Sequence, residues 1–190
     1  MSSILKVGEI QDPTNGNTAL SIAPDGKVTG SVNDSRQCVQ AFMRTSGLGG
    51  NQDPVPGLVD VATQLSSDNA GKITRGGSIT ESSGIFSFPF TGLWSVEFFT
   101  SISAGGLDDT IQVDIMTTTD NSSYSSLVQA KGGAGAANRK EVITLKGLFK
   151  VSNTSNDKVK FKISSNSGTA EGETGNAITY CIFQWLGDAD

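Results

Sequence analysis

Residues 84–99 alternate apolar and polar positions twice in succession. Phe86, Phe88 and Phe90 fall on one face of an extended chain, with Ile85, Ser87 and Pro89 on the other. Thr91-Gly92 is a turn signal. Beyond it Trp94, Val96 and Phe98 alternate with Leu93, Ser95 and Glu97. The pattern predicts two strands joined as a hairpin, with the aromatic side turned inward. Pro89 lacks a ladder donor and falls near a strand end, where that lack costs least. The window holds five of the nine Phe and one of the two Trp. Each large aromatic buries roughly 150–250 Å², so this stretch is expected to seed the core.

The other segments are short and strand-like, cut by Gly, Asn, Asp, Ser and Pro. From Cys38 to Thr45 a strand is expected, followed by a Gly/Pro-rich loop over residues 47–57. Residues 59–65 carry the one short helical pattern. Ile111, Val113 and Ile115 share one face of a strand over residues 110–117, and the chain returns over residues 124–130. Residues 132–137, Gly-Gly-Ala-Gly-Ala-Ala, read as a surface loop by composition. Lys158, Lys160 and Lys162 alternate with Val159, Phe161 and Ile163, the pattern of a half-buried strand. Strands over residues 141–151 and 177–186 complete the set. The expected class is all-β.

Ahead of this lies a different texture. Residues 4–10 and 19–22 are strand-like, with turns at Asp12-Pro13-Thr14-Asn15-Gly16-Asn17 and Pro24-Asp25-Gly26-Lys27 leading to Val28. A small hairpin is marginal by itself, so residues 1–36 are expected to be an arm that docks onto something, and residues 37–190 a head.

At 190 residues the chain has room for one domain plus such an arm. It is 36% hydrophobic and 17% charged, with net charge −5 and no Lys/Arg cluster. That balance argues against nucleic acid and against an anionic membrane surface as partners. No apolar run is long enough to insert in a bilayer, and Met1-Ser2-Ser3-Ile4-Leu5-Lys6 has no signal-peptide core. The absence of His removes Ser-His-Asp and Cys-His nucleophile arrangements and imidazole metal sites. Two widely separated Cys do not make a thiolate zinc site. Carboxylate pairs occur at Asp108-Asp109 and at Glu171 with Glu173, in Gly-flanked polar loops where solvated charge is the ordinary meaning. Asp108 and Asp109 are the candidates for a Ca²⁺ site built from oxygen ligands, and two carboxylates also meet the minimum for glycosidase chemistry. Tyr124, Tyr180, Trp94 and Trp185 are candidates for stacking on sugars, set against the commoner use in core packing. No cofactor and no catalytic residue is expected, and the chain is read as not an enzyme.

Residues 37–190 resemble the globular head shared by complement component one q and the tumour necrosis factor cytokines. The likeness rests on the strand Gln40-Ala41-Phe42-Met43-Arg44, the segment Asn69-Ala70-Gly71, and the Gly84-Ile85-Phe86-Ser87-Phe88-Pro89-Phe90-Thr91-Gly92-Leu93-Trp94 run. It continues in Leu148 with Asp157-Lys158-Val159-Lys160-Phe161, and in Tyr180-Cys181-Ile182-Phe183-Gln184-Trp185. The resemblance implies an antiparallel jelly-roll sandwich and a compact homotrimer. Phe42, Phe86, Phe88, Trp94, Phe98, Phe161, Tyr180, Phe183 and Trp185 are then the expected core and trimer-packing residues. It also implies that the first and last head strands pair, bringing Cys38 and Cys181 towards each other. A bridge and two buried thiols are both open, and the reducing cytoplasm in which the chain would fold favours thiols.

The arm has a rhythm of its own, Leu5-Lys6-Val7, Ile10-Gln11-Asp12, Gly16-Asn17 and Asp25-Gly26-Lys27-Val28. It resembles the opening module of bacteriophage tail-fibre and minor virion proteins. That implies a virion structural or appendage protein, made in the host cytoplasm and attached to other virion proteins through the arm. The head would contact the host surface through glycan or protein. A capsid decoration (cement) protein and a carbohydrate-binding or carbohydrate-processing protein are the alternatives.

Overall fold

A computed structural model describes residues 9–11, 18–22, 28–29, 38–61, 74–75, 78–106, 109–134, 138–173 and 177–189. The chain divides into two compact units, Met1–Arg36 and Gln37–Asp190. In the first, β1 (Glu9–Gln11), β2 (Thr18–Ile22) and β3 (Val28–Thr29) form an antiparallel sheet in the order β1-β2-β3. The two turns expected between them, and the segment Asn69-Ala70-Gly71, lie outside the described residues.

The second unit is a sandwich of two antiparallel sheets. Its strands are β4 (Val39–Arg44), β5 (Leu48–Gly49), β6 (Leu58–Asp60), β7 (Thr74–Arg75), β8 (Thr80–Ser82) and β9 (Ile85–Ser87). Longer strands follow: β10 (Gly92–Ser103), β11 (Asp109–Thr118), β12 (Ser125–Ala134) and β13 (Lys140–Val151). The chain closes with β14 (Lys158–Ser164), β15 (Thr169–Ala170) and β16 (Tyr180–Gly187). One sheet runs β13-β10-β16-β4-β6, with β7 also on β4 and the short β15 and β5 continuing beside the end of β10. The other runs β12-β11-β14-β9-β8. The first and last head strands do pair, Cys181 opposite Phe42.

The expected aromatic hairpin is not a hairpin. Its first arm, β9, pairs with β8 and β14 in one sheet, and its second arm, β10, lies in the other. The alternation is as read, with Phe86, Phe88, Trp94, Val96 and Phe98 all buried. What differs is the partner. A hairpin would set both aromatic faces side by side in one layer, each still needing a cover; crossing between the sheets makes each arm the cover of the other. Phe88 lies 5.0 Å from Trp94 between ring centroids. The crossover passes through Gly92 at φ 134°, where a Cβ would meet the Trp185 Nε1 at 2.2 Å, so only glycine fits.

Two further differences are local. The residues read as the start of a short helix begin as β6, and residues 62–65 lie outside the described part. Gly132 and Gly133, read as loop, belong to β12, where pairing with Ile111 and Thr110 satisfies their backbone; glycine composition alone does not report that pairing.

The core joins the sheets through ring contacts. Phe98 of β10 stacks on Phe161 of β14 at 4.3 Å and 12°, Phe86 of β9 lies 4.9 Å from Phe183 of β16, and Phe42 of β4 meets Phe86 edge-on at 5.1 Å. Ile111, Val113, Ile115, Val159 and Ile163 fill the rest of that layer, each almost wholly buried. Trp94 is fully buried, and its indole N–H has no hydrogen-bond partner. Its contribution is therefore packing alone. Trp94→Ala is expected to cost about 3–5 kcal/mol, lowering the melting temperature by roughly 6–20 °C for a domain of this size. Trp94→Phe, which removes only the unused N–H and one ring, should cost clearly less. Thermal melts of both variants check the order.

Candidate functional site

Of the nine aromatics expected in the core or at a subunit contact, Phe42, Phe86, Phe88, Trp94, Phe98, Phe161 and Phe183 lie in one buried cluster. Tyr180 and Trp185 are half-buried. Trp185 sits at the sandwich end, edge-on to Phe90 at 5.6 Å, its indole N–H donating to the Thr91 carbonyl at 3.3 Å. Tyr180 points the other way, out of the β13-β10-β16-β4 sheet, and stacks on Phe99 of β10 at 5.0 Å and 17°.

That outward face is built by register. One row across it reads Lys146–Glu97–Ile182–Ala41, and the next Thr144–Phe99–Tyr180–Met43. On the β4 side the chain covers itself: Ala41, Met43 and Val61 form a second buried cluster, with Val59, Tyr180 and Ile182 against it. On the β10 and β13 side it does not. The large apolar side chains that are strongly exposed among the described residues are Val142 at 60%, Leu148 at 56% and Leu186 at 48%. Val142 and Leu148 fall on the outward face of β13, opposite Ser101 and Ser95 of β10, and Leu186 is in β16. One charged pair crosses this face, Lys146 to Glu97 at 3.8 Å.

Sequence reasoning missed Phe99, Val142, Leu148 and Leu186. The signal was available in β13. Ile143, Leu145, Phe149 and Val151 satisfy its inward alternation, so Val142 and Leu148, at the other parity among Lys140, Thr144, Lys146 and Lys150, are surplus to the core.

The opposite outward face, on β12-β11-β14, is polar. At its centre the Asp114 carboxylate is only 2% exposed. It accepts from Gln112 Nε2 at 2.8 Å, Ser126 Oγ at 2.9 Å and Gln129 Nε2 at 2.7 Å, and Lys162 stands opposite in register. Burial by itself would raise its pKa, but the Gln112, Gln129 and Ser126 donors and the Lys162 charge outweigh it and hold the group below the ordinary value. Beside it Lys160 is held between Asp53, at 2.5 Å, and the Tyr124 ring, 4.4 Å from the centroid. The Tyr124 hydroxyl is buried and has no partner.

The carboxylate pairs do little that is chemical. Asp108 and the Asp109 side chain, the candidates for Ca²⁺, lie outside the described residues. Glu171 pairs with Lys140 at 2.8 Å and accepts from Ser101 at 2.9 Å, and the Lys140 contact foremost keeps its pKa low. With Glu173, Gly47, Thr169 and Ile178 it lines an open depression of about 360 Å³. Among the described residues no three His, Cys, Asp or Glu come together as metal ligands. Other buried polar groups are absorbed in structure. Asp157 accepts from the Ser152 and Asn153 N–H groups of its own turn, and Arg44 donates to the Ser46 and Pro56 carbonyls.

No family model and no curated relative matches this sequence. Solved structures do match the fold. An Eiger tumour necrosis factor from S. frugiperda aligns with TM-score 0.62 at 12% identity, over 81% of this chain and 95% of that one. Murine APRIL at pH 5.0 aligns with TM-score 0.57 at 12% identity, over 79% and 99%, and at pH 8.5 with TM-score 0.55 at 13% identity over the same shares. The head therefore has the tumour necrosis factor-like jelly-roll fold, as the residue pattern led one to expect.

Cys38 and Cys181 are both buried, and they are not bridged to each other. Cys181 faces Phe42, while the Cys38 carbonyl accepts from the Trp185 N–H. The thiols thus stand four residues apart in register, about 13 Å at roughly 3.3 Å per residue, beyond the reach of about 7 Å that a bridge tolerates. Burial pushes Cys38 up to about 11 and Cys181 well above the ordinary thiol range. Both are expected to resist thiol reagents at pH 8 in the native protein. Two reactive thiols per chain should appear on unfolding without reductant; none appearing would mean a bridge.

Proposed function

We propose that this chain is a non-enzymatic structural or appendage protein of a bacteriophage virion, with a homotrimeric head and an N-terminal unit that attaches it to other virion proteins. The observation that carries the self-association is the uncovered β13 side of the β13-β10-β16-β4 face, where Val142 and Leu148 are exposed on the side to which the Phe99–Tyr180 stack points, with Leu186 exposed further along β16. Full burial of an aliphatic side chain contributes about 1.5–3 kcal/mol; each of these is already about half covered, so covering the rest contributes about half of that. Obligate interfaces bury about 2,000–5,000 Å². The fold likeness supports the number three, because heads of the family that the sequence resembles are trimers. The separate N-terminal unit and its virion-like rhythm support the attachment role.

Light scattering at micromolar protein is expected to give three chains per particle. Leu148→Glu puts a charge where the apolar contact forms, at a side chain outside the core, and should yield folded monomers. A monomeric parent protein refutes the proposal. A chain beginning at Gln37 is expected to fold and assemble but to be missing from particles; its normal incorporation would assign attachment to the head.

A further inference from the structure

The polar face has a feature that sheet stability does not require. Asp114 is a carboxylate on the outward side of β11, yet it is buried as deeply as a core residue. Burying a charge costs desolvation, and apolar side chains at that position would tie β11 to its neighbours as well. What Asp114 does instead is fix the groups around it. Gln112 and Gln129 each give it one amide N–H, and Ser126 gives it its hydroxyl proton. Each amide keeps a second N–H and its carbonyl oxygen, and Ser126 keeps its lone pairs. Gln129 and Ser126 are exposed and Gln112 is half-exposed. Lys162 stands on the other flank, its side chain 33% exposed and its ammonium in a long, 3.7 Å pair with Asp53 that leaves N–H donors over. Tyr124 stands nearby, but its hydroxyl is buried and Lys160 lies over its ring, so it is not among the contacts.

We propose that this array binds a hydroxyl-rich glycan, the two amides and Ser126 meeting sugar hydroxyls and Lys162 meeting a ring oxygen or a sugar carboxylate. The chemistry matches group by group. A sugar hydroxyl is donor and acceptor at once, and adjacent hydroxyls are read best by amides, which also present both. Side chains already locked by Asp114 lose little freedom when the ligand arrives, so an open site on a sheet face still retains a ligand. Repetition along a polymer and across several heads then multiplies weak single contacts. This gives a ligand class to the host contact named above, and it rests on that reading only for its biological setting.

The test is affinity electrophoresis of the full chain in gels cast with dextran, with alginate, and with bacterial O-antigen polysaccharide. Light scattering on the same samples keeps the assembly question apart from the sugar question. Retardation by at least one polymer is expected, with the doubly substituted Gln112→Ala, Gln129→Ala protein at least tenfold weaker and unchanged in its melt. Asp114→Asn leaves both amides present but replaces one acceptor oxygen with a donor; it should weaken binding by a similar factor, with Lys162→Met acting on alginate more than on dextran. No retardation in any gel overturns the proposal, as does retardation that the double substitution leaves intact. Either result leaves a trimeric mass, and so the assembly proposal, standing.

Discussion

The fold depends on a demand made by residues 84–99: two consecutive aromatic faces must both be buried, and one sheet cannot bury them. The chain meets it by passing β9 into one layer and β10 into the other, so that each covers the other's rings. Phe98 on Phe161, Phe86 against Phe183 and Phe88 against Trp94 then tie the two sheets together across the gap. Offset and edge-on ring pairs contribute about 0.5–1.5 kcal/mol each beyond the area they bury. More consequentially, they fix the separation and register of the layers, since a one-residue slip of β10 would turn Trp94, Val96 and Phe98 into water and bring Glu97 into the core.

With β10 pinned in that way, its other face is settled too. Phe99 and Glu97 must point outward, and the neighbouring strands place Tyr180, Ile182, Lys146 and Leu148 around them. The chain then covers the β4 half of the face with Val59 and Val61 and leaves the β13 half open. That half-open surface, with Val142 and Leu148 exposed on it, is what the assembly proposal rests on.

Much of this was legible in the sequence and some was not, for physical reasons. Period-two alternation identified which side of β10, β11 and β14 is buried, because side-chain direction is a local property. The pairing of β4 with β16 came from family resemblance, and the register bears it out. Which sheet β9 joins is not local: alternation is the same for a hairpin and for a crossover, and only the need to cover both aromatic faces separates them. Glycines 132 and 133 were misread because composition reports freedom and not pairing. Phe99, Val142 and Leu148 were passed over since each is ordinary singly, and only the register sets them on one face. Asp114 is the hardest case. It lies in a run that reads as half-buried strand, and a carboxylate at an outward position suggests solvated charge; its burial arises from Gln129 and Ser126, more than ten residues away.

The two outward faces divide what the head is able to do. Water competes poorly for Val142, Leu148 and Leu186, so that face is driven towards any surface that excludes water, and a second copy is always present at equal concentration. On the Asp114 face the balance reverses. Its groups are well hydrated or already paired, so an apolar partner would strip hydrogen bonds and return nothing, at about 1–3 kcal/mol for each polar group left unpaired. Only a partner that replaces water's hydrogen bonds one for one is tolerated there. The sandwich core, by joining a sheet whose outer side carries exposed aliphatic side chains to one whose outer side is polar, sets these two kinds of contact on opposite sides of the same head. The proposed assembly through the first would therefore leave the second exposed on every copy.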